Sequence, residues 1–598
     1  MKRGGDGSDG KRDAADPGPQ KPAHIREFSP RSVIVGLLVA LVIGASYPYI
    51  VLKFGFGPNI SVVSAFFGFL ALGLFSKSYN RWENNVVQTA GTTAGQIAFL
   101  CWLLAAFDIL AADPTSHFDV RLSRVQTWIW LSVSGLLGVL LAVPLRRHFI
   151  EDEQLPYADG MAAGATLIML DSRGPQARRS AIAMVASLVV SGLTFLATQL
   201  KWVIEAIPFV LNAFSGRAGV GLAVSFLNMG SGIIIGPRVS TSMMIGAIIG
   251  WVLFPPWLVA HGLLAPDASR VDILLTVMWS AVGMLVAAGL AGLALRWRVL
   301  VRSFRGLTSA TESHDLPMRW VVSGSLVAAA ALVFVQYLFF RTPVWHSVIA
   351  IALSVPLGLV ALRVLGETNW GPISTMVNLV QAIFGGIAPG NLRASMVSSG
   401  ITGAVAAESE GLMQDFKAGW MIGSTPRILT YMQLIAVPVG ALALAFMYPL
   451  IRDTYGIVGE SAQLLSPTSQ RWVGFAKVVT NELSGAGPLS AEAAARLAWM
   501  KTSFLWGAAA GVVLTFLEQR REWRRFVPSP TGIGIAMLIP FNAVTGIFLG
   551  AMIDVAWARV APANNERYSI PIASGLIAGE ALVAVAIPIL VTLGLMSI

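Results

Sequence analysis

Gly371 to Arg427 reads GPISTMVNLVQAIFGGIAPGNLRASMVSSGITGAVAAESEGLMQDFKAGWMIGSTPR. Long apolar runs carry Gly, Pro and Ser within them, and a polar knot follows: Glu408, Glu410, Gln414, Asp415 and Lys417. Ionisable groups beside membrane-length apolar segments are costly unless they face protein or water. Gly and Pro inside such segments mark helices that can be interrupted, which is how transporters expose backbone to a substrate. The working centre of the chain is expected here.

Composition supports a membrane setting. Of 598 residues, 55% are hydrophobic and 12% charged, against roughly 25% charged in a soluble domain. Apolar runs of about 20 residues, each enough for a spanning helix, recur from end to end. The net charge of +10 is no nucleic-acid signal, because the basic residues sit in short loops where topology uses them. The one cysteine, Cys101, lies in an apolar run and reads as a small buried hydrophobe.

Residues 1–25 are too polar to bury a core and read as a disordered tail. Spans are expected near 32–52, 58–76, 86–111 and 127–144. Arg26 and Arg31, Lys77 and Arg81, and Arg146 and Arg147 then share one side, which places the N-terminus in the cytoplasm. Residues 156–171 are too short to cross and read as a re-entrant or half-length helix. Further spans are expected near 181–199, 219–237, 240–263 and 273–295.

The polar stretch 296–319 borders two halves: 26–300 and 320–598, with a cytoplasmic linker at 301–319. The second half offers spans near 320–340, 344–363, 372–389, 394–413, 428–450, 502–517, 532–557 and 570–594, and a polar, external excursion at 451–500. The C-terminus returns to the cytoplasm. The fold class is an all-α polytopic membrane protein of about 14–16 transmembrane helices, with internal repeats and re-entrant or broken helices.

QDFKAGWMIGSTPR (Gln414 to Arg427) followed by an apolar helix resembles the core signature of the oligopeptide transporter superfamily. Its N-terminal pattern appears at Arg26 to Phe69 and its C-terminal pattern at Ile570 to Leu590. The peptide branch's NPGPF and KIPPR are missing, which favours the prokaryotic and yellow-stripe-like, metal-chelate branch. The resemblance implies proton-coupled import, by symport, of small peptides or peptide-like metal chelates. It also implies a bacterial cytoplasmic (inner) membrane. The expected partners are that substrate, protons, the lipid bilayer and, as one option, a second copy in a homodimer.

Two pairings suggest duplication. Ile60-Ser61 and Ile373-Ser374 each follow a Gly/Pro turn, and small-residue runs come next at Thr89–Gly95 and Ser398–Ala404. LPYADGMAAGATL (Leu155 to Leu167) also matches IPIASGLIAGEAL (Ile570 to Leu582) without a gap. Shared small-residue packing gives similar patterns without common descent. The elements do not fall into one simple order, so repeats are read without a geometry.

On a helix over Gly403–Gly419, Glu408 and Asp415 form one stripe. Glu410, Gln414 and Lys417 form another, turned roughly 200° away. Either the helix breaks near Gly411 or one stripe is structural. Glu408 and Glu410 are the proton or cation candidates; Asp415 and Lys417 read equally as an interfacial charge pair. Glu580, eleven residues into the last span, is a further intramembrane acid, with hydrogen-bonded helix glue as the equal alternative.

Gly57-Pro58-Asn59, Gly230-Ser231-Gly232 with Pro237, and Gly371-Pro372 are candidate helix breaks, whose freed backbone groups attract carboxylates or cations. Asn59, Asn228, Asn378 and Gln381 are candidate lining residues, though polar side chains also hold membrane helices together.

No G-x-x-x-x-G-K-[ST], HExxH or G-x-S-x-G occurs, and the six histidines are scattered. No cofactor or resident metal is expected. The reading is a secondary active transporter and not an enzyme. The alternatives are an integral-membrane enzyme using Glu408, Glu410 or Glu580, and a passive channel.

Overall fold

A computed structural model describes residues 21, 25–54, 60–75, 79–116, 118–171, 175–295, 315–458, 464, 466–483, 491–520, 522–523 and 526–592. Helices dominate, as backbone in hydrocarbon requires when no water is there to satisfy it. The first unit comprises α1 (Pro30–Phe54), α2 (Ile60–Phe75), α3 (Arg81–Phe99), α4 (Cys101–Ala112), α5 (Arg124–Ala142), α6 (Ala158–Asp171) and α7 (Pro175–Gln199). It continues with the single turn α8 (Ser215–Ala218), α9 (Phe226–Ile235), α10 (Pro237–Ala247), α11 (Phe254–Ala260) and α12 (Arg270–Leu295). After α13 (Met318–Phe340), the second unit runs through α14 (Val344–Thr368), α15 (Ile373–Ile387), α16 (Leu392–Ile422), α17 (Pro426–Tyr455) and α18 (Pro467–Leu483). It ends with α19 (Ala491–Gln519), α20 (Pro530–Ala536), α21 (Phe541–Val560) and α22 (Pro562–Thr592).

Among the described residues, 11 helices are long and apolar enough to cross a membrane. Three apolar helices are too short: those starting at Ile60, Phe226 and Ile373. The expected half-length segment is present as α6, 14 residues long.

The two units share one order of long and short elements. α1, α2, α3–α4, α5, α6, α7, α9, α10–α11 and α12 correspond in turn to α14, α15, α16, α17, α18, α19, α20, α21 and α22. Packing is reciprocal: α3 lies on α17 as α16 lies on α5, α22 on α7 as α12 on α19, and α21 on α9 as α10 on α20. Equivalent elements run oppositely. At one end of the bundle Glu27 accepts from Thr425 and Arg31 pairs with Glu83; at the other Asp119 pairs with Arg393 and Asp108 with Arg452. Thus α3–α4 rises where α16 descends. The helix α13 between the units is the odd element that inverts the second.

A simple order therefore exists, contrary to the expectation from sequence. The Leu155–Leu167 and Ile570–Leu582 match pairs α6 with α22, which hold different places in that order; the two helices pack on each other. The Ile60 and Ile373 pairing marks equivalent elements, the starts of α2 and α15.

Other boundaries differ from expectation. The run 219–237 is not one span: Ala206–Pro208 and Gly221–Ala223 form an antiparallel hairpin, with Ile207 opposite Leu222, before α9 starts. Gly230 and Gly232 do not break α9. They permit close packing, since a Cβ on Gly232 would lie 1.9 Å from the Ile547 carbonyl oxygen and one on Gly230 2.6 Å from that of Ala573. The break falls at Gly236, φ 87°, followed by Pro237 at the start of α10. The link between α14 and α15 contains Gly371 and Pro372 as expected. Gly57, Pro58 and Asn59 lie outside the described residues. Within 451–500, polar by composition, α18 is built into the bundle: Trp472 and Phe475 are buried, and the helix packs on α4 and α15.

Candidate functional site

α16 is 31 residues long and continuous, without a break at Gly411. Asn391 caps it by accepting from the Ala394 amide over 2.9 Å, and Gly423, φ 74°, ends it in the left-handed conformation. Nearly every residue from Ala394 to Gly419 is buried, because α3, α5, α6, α14, α15 and α17 enclose the helix. Its two stripes therefore both face protein, in different directions.

Glu408 faces α5 and α17. Gly135 and Gly138 of α5 make the approach possible, since a Cβ on Gly138 would lie 3.1 Å from that of Glu408 and 2.6 Å from the Val405 carbonyl oxygen. Gln433 of α17 donates to Glu408 Oε2 over 3.2 Å and to its carbonyl oxygen. Asp415, two turns on, meets α3. Gln88 donates to Asp415 Oδ1 over 2.6 Å and to Thr92 Oγ1 over 3.0 Å, and Asn85 donates to Gln88 Oε1 over 2.7 Å.

The second stripe meets α6 and the α14–α15 link. The Gly160 amide, in the first turn of α6, donates to Gln414 Oε1 over 2.6 Å. Asn369 Oδ1 accepts from the Asp159 amide over 2.9 Å, and Asn369 Nδ2 donates to Asp159 over 2.6 Å. The Glu410 carboxyl lies against Gly371, where a Cβ would stand 2.0 Å from Oε2. Lys417 Nζ sits 4.7 Å above the Trp420 ring and, among the described residues, forms no ion pair. Asp415 and Lys417 are thus not a charge pair.

Glu408 Oε1, Glu410 Oε1 and Asp415 Oδ2 are buried and have no hydrogen-bond partner among the described residues. Buried polar atoms in native proteins are nearly always satisfied. Three such acceptors therefore lie on the one helix α16.

Glu580 lies elsewhere, at the start of α9. It accepts from Ser225 Oγ over 2.9 Å and from the Leu227 amide over 3.0 Å, so it neutralises free donors of a half-length helix. Asn228 packs its Cβ against Gly546. Asn378 and Gln381 are buried on α15 and face Met278 and Met396, 4.0 Å and 3.1 Å from the respective sulfurs. None of these three amides joins the α16 stripes.

Sequence reasoning passed over Asn85, Gln88, Gln433 and Asn369. Asn84-Asn85 and Gln88 stand in a span otherwise rich in small residues, and that polar run was the available signal. It also passed over Asp315, which joins Arg146 through two hydrogen bonds of 2.6 Å and 3.0 Å and Arg147 at 2.9 Å. Burial opposes ionisation of Asp315. The two guanidinium groups outweigh it and hold the carboxyl below its ordinary value. Nearby, Arg363 clamps Glu153 at 2.9 Å and 3.0 Å.

Among the described residues, no cluster of three His, Cys, Asp or Glu could hold a metal. The family description "OPT oligopeptide transporter protein" matches residues 27–591. A Haemophilus influenzae protein named "Putative oligopeptide transporter" is 24% identical, covering 90% of this chain and 91% of its own. A Saccharomyces cerevisiae protein of similar name is 22% identical, covering 95% and 96%. An Arabidopsis thaliana "Probable metal-nicotianamine transporter" is 24% identical, covering 94% and 86%.

Proposed function

Because the chain belongs to the oligopeptide transporter family, we propose that it is a proton-coupled importer of small peptides or peptide-like metal chelates. Membership makes it a membrane transporter and not an enzyme, and relatives of both the peptide and metal-nicotianamine names align over nearly its whole length. The metal of a chelate is cargo here.

The observation that carries the reading is the pair of orphan carboxyl oxygens on Glu408 and Glu410, which the continuous helix aims at opposite neighbours. Glu408 is enclosed by α5 and α17 and suits a proton. Glu410 shares its stripe with Lys417, seven residues along. At 1.5 Å per residue the two lie about 10 Å apart on the helix, the reach of an extended tripeptide at roughly 3.5 Å per residue. An amine at Glu410 and a carboxylate at Lys417 would offset two buried charges that form no ion pair among the described residues.

The orientation follows the basic residues. Arg31, Arg81, Arg146, Arg147 and Arg363 lie at one end of the bundle, where α12 finishes with Gly292 against Arg363, and the sequence following Leu295 is arginine-rich. That end is assigned to the cytoplasm, with both termini, and the membrane to the bacterial cytoplasmic membrane. A homodimer stays an open option for size measurement in detergent.

The test is uptake of labelled tripeptides, and of peptide-like iron chelates, into proteoliposomes under an imposed pH gradient. Accumulation that a protonophore collapses, and that Glu408→Gln abolishes in folded protein, supports the proposal. Equilibration without concentration makes the protein a channel and overturns it.

A further inference from the structure

The half-length helices α6 and α18 are seated in the same way. The Tyr157 amide, just before α6, donates to the Gly366 carbonyl oxygen over 3.0 Å, and the Ser466 amide, just before α18, donates to that of Leu52 over 3.2 Å. Tyr157 and Ser466 both hold the left-handed conformation, with φ 43° and 41°. Gly366 and Leu52 are each the third residue from the end of their helices, α14 and α1. The two half-length helices therefore hang from equivalent points, α6 at the end assigned to the cytoplasm and α18 at the opposite, external end.

What lies beside them differs. α6 packs on α22 through small residues, with Ala162 and Ala163 fully buried in one cluster with Ile577 and Ala578. Charge ties the same end. Arg363 pairs with Glu153 of the first unit over 2.9 Å and with Glu367 over 3.1 Å, and Glu367 accepts from Ser529, the N-cap of α20, over 3.0 Å. The equivalent pair, α18 and α12, meets through large side chains. The Phe475 and Trp279 rings stand 5.5 Å apart, backed by Val479, Met278 and Val282.

Beside that contact a cavity of about 440 Å³ opens between α12, α18 and α19. It lies at the external end, because Asp272, Leu275 and Thr276, which line it, belong to the first two turns of α12, whose other end meets Arg363. Trp279, Phe475 and Val479 form its buried floor, at 1–6% exposure. Trp499 walls it from α19, fixed by donating Nε1–H to the Thr276 carbonyl oxygen over 2.9 Å. Asp272 and Arg496, exposed and of opposite charge, stand at the rim.

We propose that this cavity is the external entry site of the transport path, open here while its cytoplasmic counterpart is closed, and that it receives the bulky apolar side chain of an incoming peptide. Its volume falls within the range of about 300–1,000 Å³ usual for small-molecule sites, which are likewise apolar with a few polar groups. Three aromatic rings give a large apolar contact area, and the opposite charges at the rim match the two charged ends of a peptide. Equivalent elements of inverted repeats exchange roles as access alternates, so a gap beside α18 and close packing beside α6 are the two halves of one state. The occupant rests on the peptide reading of the proposed function; the position of the entry does not.

The experiment labels single cysteines with a membrane-impermeant maleimide in sealed vesicles of either orientation, on the full-length protein carrying Cys101→Ala, since Cys101 is buried. It needs neither a pH gradient nor uptake, so its result is separate from that of the transport assay. Without substrate, Leu275→Cys should label from the external side only and Ala163→Cys from neither side. A tripeptide with phenylalanine side chains should slow labelling of Leu275→Cys about tenfold, and triglycine less than twofold. Thr276→Cys serves in its place if Leu275→Cys does not fold. No labelling of either cysteine from the external side in folded protein overturns the entry site. So does labelling of Ala163→Cys from the cytoplasmic side at the rate of Leu275→Cys. Equal slowing by triglycine, or no slowing by any peptide, overturns the apolar side chain as occupant. Slowing by added phospholipid alone overturns it in favour of a lipid site.

Discussion

The Gly160 amide donates to Gln414 Oε1 over 2.6 Å, so the half-length helix α6 begins against the helix that carries the buried acids. Gly164, one turn on, meets Met421 of the same helix, 2.7 Å from Sδ to the glycine's Cβ position. The two glycines make a G-x-x-x-G face that brings backbones into contact. Any motion of α6 relative to α16 therefore acts directly on the Gln414 and Lys417 stripe.

Gly160→Ala should displace α6. The added Cβ would stand 2.4 Å from the Gln414 carbonyl oxygen and 2.9 Å from the Lys417 Cβ, and overpacking of this kind costs about 1–3 kcal/mol. Uptake is expected to fall steeply while the protein still inserts and purifies as a folded species. Uptake equal to wild type would show that the contact is not needed for transport.

At the end assigned to the cytoplasm, Asp315 ties the start of α13 to Arg146 and Arg147. Its depressed pKa gives stability that is complete above the ordinary carboxylate value of 3.8 and is lost as pH falls through the lower folded value. Asp315→Asn leaves buried guanidinium charge without its main partner, at a cost of about 3 kcal/mol near neutrality. Thermal unfolding from pH 7 to 3 should show the difference between wild type and variant persisting to about pH 4 and shrinking below it. A gap that widens in acid would reverse the sign and refute the assignment.

The α9 cap gives a separable prediction. Ser225 accepts from the Asn228 amide over 3.3 Å and donates to Glu580. Ser225→Ala should cost about 1 kcal/mol, the usual worth of an N-cap. Glu580→Ala should cost more, because it also frees the Leu227 amide in a buried setting. If Glu580 is only helix glue, Glu580→Gln will retain uptake and its pH profile. If it carries a coupled proton, Glu580→Gln will keep stability and lose pH dependence.

The acids of α16 were legible in the sequence because charge in an apolar run is rare and expensive, and Glu408, Glu410, Asp415 and Lys417 stood out on that ground. Their neighbours were not, because Gln88, Gln433 and Asn369 lie on other helices, and helical spacing within one segment says nothing about which helices meet. The repeat was half legible. The Gly-Pro pairs in the sequence before Ile60 and Ile373 pointed to the starts of α2 and α15, which are true equivalents. The Gly/Ala match of α6 with α22 reflects close packing, which any two contacting helices can share. Likewise α18 fell within a stretch read as a polar excursion because its polar residues dilute the hydropathy, and its packed face, Trp472, Phe475 and Val479, did not show at that level.

The Glu410 and Lys417 spacing yields the most direct test of substrate class. If Lys417 receives a substrate carboxylate, a C-terminally amidated tripeptide loses that contact, and its KM in wild type should exceed that of the free acid by tenfold or more. In Lys417→Gln the amidated and free peptides should converge, since the charge that distinguished them is gone. The same logic applied to an N-acetylated tripeptide reads Glu410, with Glu410→Gln abolishing the penalty for acetylation. These ratios compare two substrates in one variant, so a general loss of folding cancels from them. Equal KM values for free and blocked peptides in wild type would show that neither charge reads a peptide end. The two residues would then be structural partners of α6 and the α14–α15 link.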